Sequence, residues 1–385
     1  MRADKQISSR FHEVFPDSAQ PRLWRAPGRV NLIGEHTDYN LGLVCPIALD
    51  LACFSASAAN PDGILRVYSQ NRSELREWPL EAIARCSPTG GWADYVVGVA
   101  QQILRLGKTI APRNLYIEST VPEGSGLSSS AALEVAVALA LLDGENLAPL
   151  ELALLAQRAE NEFAGTPCGI MDQYCSVFGE EQAALKIDCR NLSHTGVRLP
   201  DSVAILAVNT MVKHELGQSV YGQRVAECAA AVETIQSRHT DVSSLRDTTL
   251  EMVTELSAVP EPLERRARHV VSENLRVESF VFAACAGDLQ SMGRLFVESH
   301  RSLQHDYEVS CEELDFLVDT ALSLPGVWGA RMTGGGFGGC TMNLVNPAYT
   351  AAFRERIAAA YCRRYQTEPQ IYECRPSAGA GAIVL

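Results

Sequence analysis

The stretch VPEGSGLSSSAALEVAVALALL, Val121 to Leu142, decides how this chain is read. It opens with a turn of small residues, Gly124, Ser125 and Gly126, then Leu127, and continues with three hydroxyls, Ser128, Ser129 and Ser130. Strong helix formers follow from Ala131. Glycines permit backbone angles and close approaches that a Cβ blocks. The serines stand where a helix N-terminus leaves amide donors unpaired, with positive dipole charge behind them. A loop that aims N–H groups and hydroxyls at one point suits a phosphate. A single serine here would be an ordinary helix cap. Two glycines and three successive serines exceed what a cap needs, so anion binding is the expectation. The Walker A lysine is missing, and no ribose-binding acid marks a Rossmann fingerprint.

On either side of this stretch the pattern mixes strands and helices. Strands are predicted at Leu23–Ala59 (broken by the turn-rich Gly34–Gly42), at Ile64–Tyr68 and at Leu115–Val121. Amphipathic helices are predicted over Trp92–Leu106 and about Leu150–Phe163, the second with Glu160 flanking its buried stripe. After Gly165–Gly169, a short helix carries Asp172. Strands at Ala183–Cys189 and Val203–Val208 follow, and Asp188–Pro200 reads as the passage between two domains. The rest is mostly helical from Pro260 to Leu324, then strand-like around Met332–Val345, with a helix near Thr350–Tyr365. This mixed order argues for an α+β fold.

At 385 residues, two domains are expected. A net charge of −13 argues against sequence-independent binding to nucleic acid or anionic membrane, yet leaves room for a local anion site. The twelve cysteines show no paired spacing and suit reduced thiols in the cytoplasm. The eight histidines form no zinc pattern. No apolar run is long enough to span a bilayer.

Three further places could carry chemistry. GRVNLIGEHTDYN, Gly28 to Asn40, packs Arg29, Glu35, His36, Thr37 and Asp38 into one turn-bounded segment. Any one of these alone is a solvated loop residue. Together they offer the donors and acceptors that a polyhydroxylated ligand requires. Asp172, in CGIMDQ, has mainly apolar neighbours and is either a helix-capping group or a functional carboxylate. A phosphate loop also calls for magnesium, which draws attention to Glu160. MTGGGFGGC, Met332 to Cys340, holds five glycines, a density that points to close backbone approach.

Taken together, these segments resemble the three signature motifs of the GHMP kinases, and GRVNLIGEHTDYN resembles the galactokinase signature within them. WADYVVG near Trp92, ENEFAGTPCGIMDQ, ESHRSLQHDYEVSC and RPSAGAG extend the likeness over nearly the whole chain. The resemblance implies a two-domain GHMP α+β fold, residues 1–190 and 191–385, with the active site in the cleft between them. It implies ATP-dependent phosphorylation of the anomeric hydroxyl of D-galactose by a cytoplasmic enzyme, with magnesium and with a monomer as the default state. Glu35, His36, Thr37, Asp38 and Tyr221 would contact the sugar. Gly124 to Ser130 would wrap the ATP phosphates, and Ser130 and Glu160 would hold the metal. Asp172 would act on the anomeric hydroxyl, with Arg29 stabilising charge on the moving phosphoryl group. Val220 stands where galactokinases usually place an acid, and Gln304-His305 where Arg-Asp is usual. The rival readings are a kinase for N-acetylgalactosamine and a galactose sensor without catalysis. The intact Ser128–Ala131 run disfavours the sensor.

Overall fold

The Leu23–Ala59 segment forms β1 (Arg22–Asn31), a 3-10 turn at Asp38–Asn40, β2 (Leu43–Val44) and β3 (Pro46–Ala59). β4 (Ile64–Ser69), β5 (Glu74–Pro79) and β6 (Arg113–Ser119) follow, then β7 (Ala183–Asp188), β8 (Ser193–Arg198) and β9 (Ala204–Lys213). The last strands are β10 (Val327–Thr333), β11 (Gly338–Val345), β12 (Gln370–Glu373) and β13 (Gly381–Ile383). This computed structural model describes residues 3–213, 217–258 and 261–383.

The strands make three sheets, ordered β13-β1-β3-β6-β4-β5, β10-β11-β9-β12 and β2-β7-β8. β3 is buried along most of its length because both faces are covered. The helix Ala3–Val14 puts Ile7 and Phe11, with Phe15 just beyond, against Ala56, Ala58 and Tyr116 on one face. The helices Ala93–Arg105 and Ser129–Leu142 cover the other, with Val96, Val99, Val135 and Ala136 in the main core. The Ser129–Leu142 helix is apolar on every side, as a helix surrounded by protein should be. Its one carboxylate, Glu134, is fully buried.

Two features depart from the sequence reading. Asp188–Pro200 is no bare passage, because it contains β8, which pairs antiparallel with β7 from Ala183↔Arg198 to Asp188↔Ser193. An expected division at residue 190 would cut this hairpin. The exposed, polar pattern of β8 (Ser193, Thr195, Gly196) hid a strand whose pairing satisfies its backbone. Second, the C-terminal β13 returns to pair with β1, so chain order does not separate the halves. Main-core residues also come from both halves, among them Leu32, Val135, Ile205, Phe280 and Met342.

The helix predicted at about Leu150–Phe163 ends at Ala159 and continues as a wider π-helical turn, Glu160–Ala164. Such turns break regular helix packing, often at functional sites. Here it turns Glu160 inward, leaving it 5% exposed, where a surface acid would have been the ordinary reading. A second π turn, Leu303–Tyr307, ends the helix Leu289–Ser302.

Candidate active site

A cavity of about 840 Å³ gathers the segments singled out in the sequence. Its lining includes Arg29, Glu35, His36, Asp38, Gly124, Gly126, Glu160, Asp172, Tyr221 and the Gly334–Gly339 loop.

The serine-rich turn takes its shape from left-handed φ at every second residue: Gly124 at 66°, Gly126 at 79° and Ser128 at 60°. This alternation bends the backbone tightly ahead of the Ser129–Leu142 helix, whose first-turn N–H groups remain open to an anion. Ser125 and Leu127 are fully buried, and Ser125 Oγ donates to Pro122 O (2.8 Å). Neither side chain therefore faces the cavity. Ser128 Oγ donates instead to Asp172 Oδ2 (2.6 Å), tying the phosphate turn to the acid.

Asp172 begins the helix Met171–Phe178. Its Oδ1 accepts from Arg29 Nε (2.8 Å), and Arg29 Nη2 lies 2.6 Å from the same oxygen. Arg29 Nη1 donates to Gly126 O (2.7 Å), so one guanidinium links β1, the phosphate turn and the acid. Burial alone would lower the Arg29 pKa, but Asp172 and Glu35 outweigh it and raise it.

On the sugar-motif side, Asp38 reaches the cavity because residue 169 is glycine. A Cβ there would stand 1.8 Å from Asp38 Oδ2. Burial, with the nearby Asp172 charge, pushes the Asp38 pKa up to about 6. His36 is 5% exposed and sits at φ 61°, a strained angle for a non-glycine residue, with Asn40 Nδ2 donating to its carbonyl. Thr37 corrects the expectation of a sugar contact. It is fully buried, and its hydroxyl is taken by Gly34 O (2.9 Å) and Leu43 O (2.7 Å). Thr37 shapes the turn and cannot face a ligand. Glu35 lines the cavity, but much of its acceptor capacity is used by Thr333 Oγ1 (2.9 Å) and Gly334 N (2.7 Å), by Asn31 Nδ2 and by Arg331. It is at least as much a latch between the sugar motif and the glycine loop as a sugar ligand.

Behind Asp172 lies an acid cluster. Gln173 Nε2 donates to Glu134 Oε2 (3.0 Å) and to Glu160 Oε2 (2.6 Å). Glu134 Oε1 and Gln173 Oε1 are buried without hydrogen-bond partners. Burial first, then the Asp172 charge, raises the Glu160 pKa to about 7, although a hydrogen bond from Ser130 pulls it the other way. The Glu134 pKa is also raised, by burial first and then by the Glu160 charge. Glu134, Glu160 and Gln173 offer the kind of oxygen acceptors a hard divalent cation takes, one or two protein groups at a time, although among the described residues no three acidic, histidine or cysteine side chains are grouped to hold one.

These shifts set a stability expectation. A folded-state pKa above the unfolded value favours the fold at low pH and loses that contribution as pH rises through the folded pKa. For Glu160 the loss runs from the ordinary carboxylate range up to about pH 7 and is complete above it, and Glu134, raised in the same direction, adds to it. Below pH 6.5 the buried imidazoles His36, His269 and His300, all with lowered pKa, act oppositely. Above pH 6.5 the imidazoles stop contributing to the slope and the buried carboxyls alone set it, so the ligand-free protein should lose stability between pH 6.5 and 8. Urea unfolding across this range measures it, and Glu134→Gln should flatten the decline. A midpoint that climbs from pH 6.5 to 8 would contradict the assignment.

The sequence reading missed Gly169, Glu134, Gln173 and Arg331. Gly169, within the GTPCG break, and Gln173, beside Asp172 in CGIMDQ, left a local trace. The others lie in apolar or helical runs whose facing partners are distant in sequence.

Comparison with known proteins agrees with this geometry. The GHMP kinases N terminal domain matches residues 94–180, the galactokinase galactose-binding signature residues 9–58, and the GHMP kinases C terminal domain residues 281–363. A galactokinase of Roseiflexus sp. (strain RS-1) is 46% identical over 94% of this chain and 92% of its own length. That of Canis lupus familiaris is 44% identical over 91% of this chain and 90% of its own. The crystal structure of Lactococcus lactis galactokinase complexed with galactose superposes with a TM-score of 0.93 at 36% identity, covering 98% of this chain and 99% of that one. A mevalonate kinase shares the fold at a TM-score of 0.65 and 18% identity, covering 92% of this chain and 98% of its own. The galactose-binding-signature segment, the serine-rich turn and the glycine loop line one cavity with Asp172, and a chain this similar to those relatives belongs to the galactokinase family of the GHMP kinases.

Proposed function

We propose that the cleft transfers the terminal phosphoryl group of ATP directly to the C1 hydroxyl of D-galactose, giving galactose 1-phosphate and ADP as the entry step of galactose metabolism. The observation that carries this reading is the position of Asp172, joined through Ser128 to the phosphate turn and sharing a cavity with His36, Asp38 and Tyr221.

Phosphoryl transfer asks mainly for positioning and charge stabilisation. Galactose would lie against His36, Asp38 and Tyr221, with Glu35 completing the pocket and fixing its edge. Asp38 and Asp172 accept from sugar hydroxyls, while His36 can donate. The C1 hydroxyl is more acidic than an ordinary alcohol, so Asp172 can take its proton or orient it toward the phosphorus. Arg29, held in place by Asp172 and Gly126 O, offers positive charge to the phosphoryl group as it moves. Backbone N–H groups of Gly124–Ser130 cradle the remaining phosphates.

Magnesium would be held by Glu160 and Ser130 together with phosphate oxygens. When bound, it supplies charge neutralisation on the nucleotide. Among the described residues no helix is long and apolar enough to cross a membrane. The cysteines are all free, which supports a reducing cytoplasmic setting.

The test is a coupled ADP-release assay across aldohexoses, followed by identification of the phosphorylated carbon. Turnover should be highest with galactose, and phosphate should appear on C1. Preference for N-acetylgalactosamine, or a product phosphorylated on C6, would overturn the reading.

A further inference from the structure

A line of four side chains runs from the cavity wall into the second half of the chain. His36 Nδ1 lies 2.9 Å from Tyr39 Oη, which lies 2.7 Å from Tyr307 Oη, which in turn lies 3.1 Å from Cys228 Sγ. Tyr307 ends the Leu303–Tyr307 π turn, and Cys228 belongs to the helix Gly217–Gln236. Cys228 and Tyr307 are almost fully buried, and the Tyr307 ring lies beside His36, centroids 4.8 Å apart and planes tilted by 39°. The other imidazole nitrogen, His36 Nε2, is buried with no hydrogen-bond partner in the protein, in a residue that lines the cavity.

Each hydroxyl has one proton, so the line can run in only two directions. Run inward, Nδ1–H donates and the chain must end on a sulfur acceptor, which is weak. Run outward, the Cys228 thiol donates to Tyr307, Tyr307 to Tyr39 and Tyr39 to Nδ1, which leaves the ring proton on Nε2. Burial keeps the thiol protonated, its pKa pushed up to about 11. The remaining sugar-facing acids, Asp38, Glu35 and Asp172, offer acceptors. A sugar hydroxyl has one proton and two lone pairs, so the pocket also needs a donor.

We propose that the Cys228–Tyr307–Tyr39 relay holds His36 as the neutral tautomer protonated on Nε2, so that His36 donates to a sugar oxygen and Tyr39 and Tyr307 act as positioning residues for galactose. This rests on the reading of His36 as a sugar contact. It also gives a role to the DYEVSC segment, which carries no group on the ligand itself.

The tautomer can be read directly from long-range proton–nitrogen correlation spectra of protein labelled with nitrogen-15 histidine, with His36 assigned by its loss in His36→Gln. The wild type should show protonated Nε2 and bare Nδ1. Tyr307→Phe should give a tautomer mixture and raise the galactose KM about tenfold, the worth of one hydrogen bond, with kcat within about threefold. Cys228→Ser, which keeps a donor at the end of the line, should keep both the tautomer and the KM. A wild-type ring protonated on Nδ1 or on both nitrogens overturns the proposal, even where a variant fails to fold. So does a Tyr307→Phe protein with unchanged tautomer and KM. An unchanged galactose KM in His36→Gln would instead remove His36 from the sugar site, whatever the tautomer.

Discussion

Asp172→Asn should lower kcat by about a thousandfold or more, while the galactose dissociation constant stays within a few-fold. The amide keeps the size and the oxygen that accepts from Ser128, so the turn and helix remain in place. What disappears is the capacity to take the C1 proton, and a positioned general base contributes about 10²–10⁴ in rate. Arg29 also loses its main counter-charge. It keeps Gly126 O as a partner, and bound phosphate would return negative charge to its neighbourhood. Steady-state ADP release gives kcat, and calorimetric titration of galactose gives the dissociation constant. Turnover near the wild-type rate would remove Asp172 from the chemistry and leave it as a bridge between Arg29 and the phosphate turn.

Arg331→Met should cost about 3–5 kcal/mol of stability, because it strands a buried carboxylate. Arg331 is fully buried in β10, with Nη2 3.0 Å from Glu35 Oε2 as an ion pair rather than an aligned hydrogen bond. Nη1 donates to Leu32 O (2.6 Å), and the guanidinium lies over the Phe296 ring. Glu35 in turn accepts from Thr333 Oγ1 and Gly334 N, at the root of the glycine loop. One ion pair therefore ties the sugar motif to the loop that lines the other part of the cavity. Activity should fall with stability, since both loops lose their common anchor. Urea midpoints give the measurement. The double variant Glu35→Gln/Arg331→Met should recover part of the loss, because no charge is then left unpaired. A single variant as stable as wild type would mean that water or another cation reaches Glu35.

The substitutions Gln304 and His305 illustrate what motif reading alone leaves unplaced. Gln304 Nε2 donates to Asp315 (2.6 Å), and the His305 carbonyl accepts from Arg265 (3.0 Å). Gln304 links two helices through its side chain, while the bond at 305 is made by the backbone and needs no particular side chain. Val220 is half-buried beside the cavity residue Tyr221.

Residues close together in sequence were legible without a structure. The glycine–serine turn before an apolar helix, the polar cluster Arg29–Asp38 and the five-glycine loop each carry their chemistry within a dozen positions. Local backbone demands and helix-end electrostatics write themselves into such short segments. Helix boundaries such as Thr350–Tyr365 followed from the same local rules. Tertiary structure decided whether a given polar atom faces ligand or protein. Thr37 is spent on Gly34 and Leu43, Glu35 on Arg331 and Gly334, and Glu160 is turned inward by a π turn. In each case the deciding partner or backbone shift comes from chain packing, and a side chain's hydrogen bonds depend on what lies within 3 Å of it, however distant in sequence.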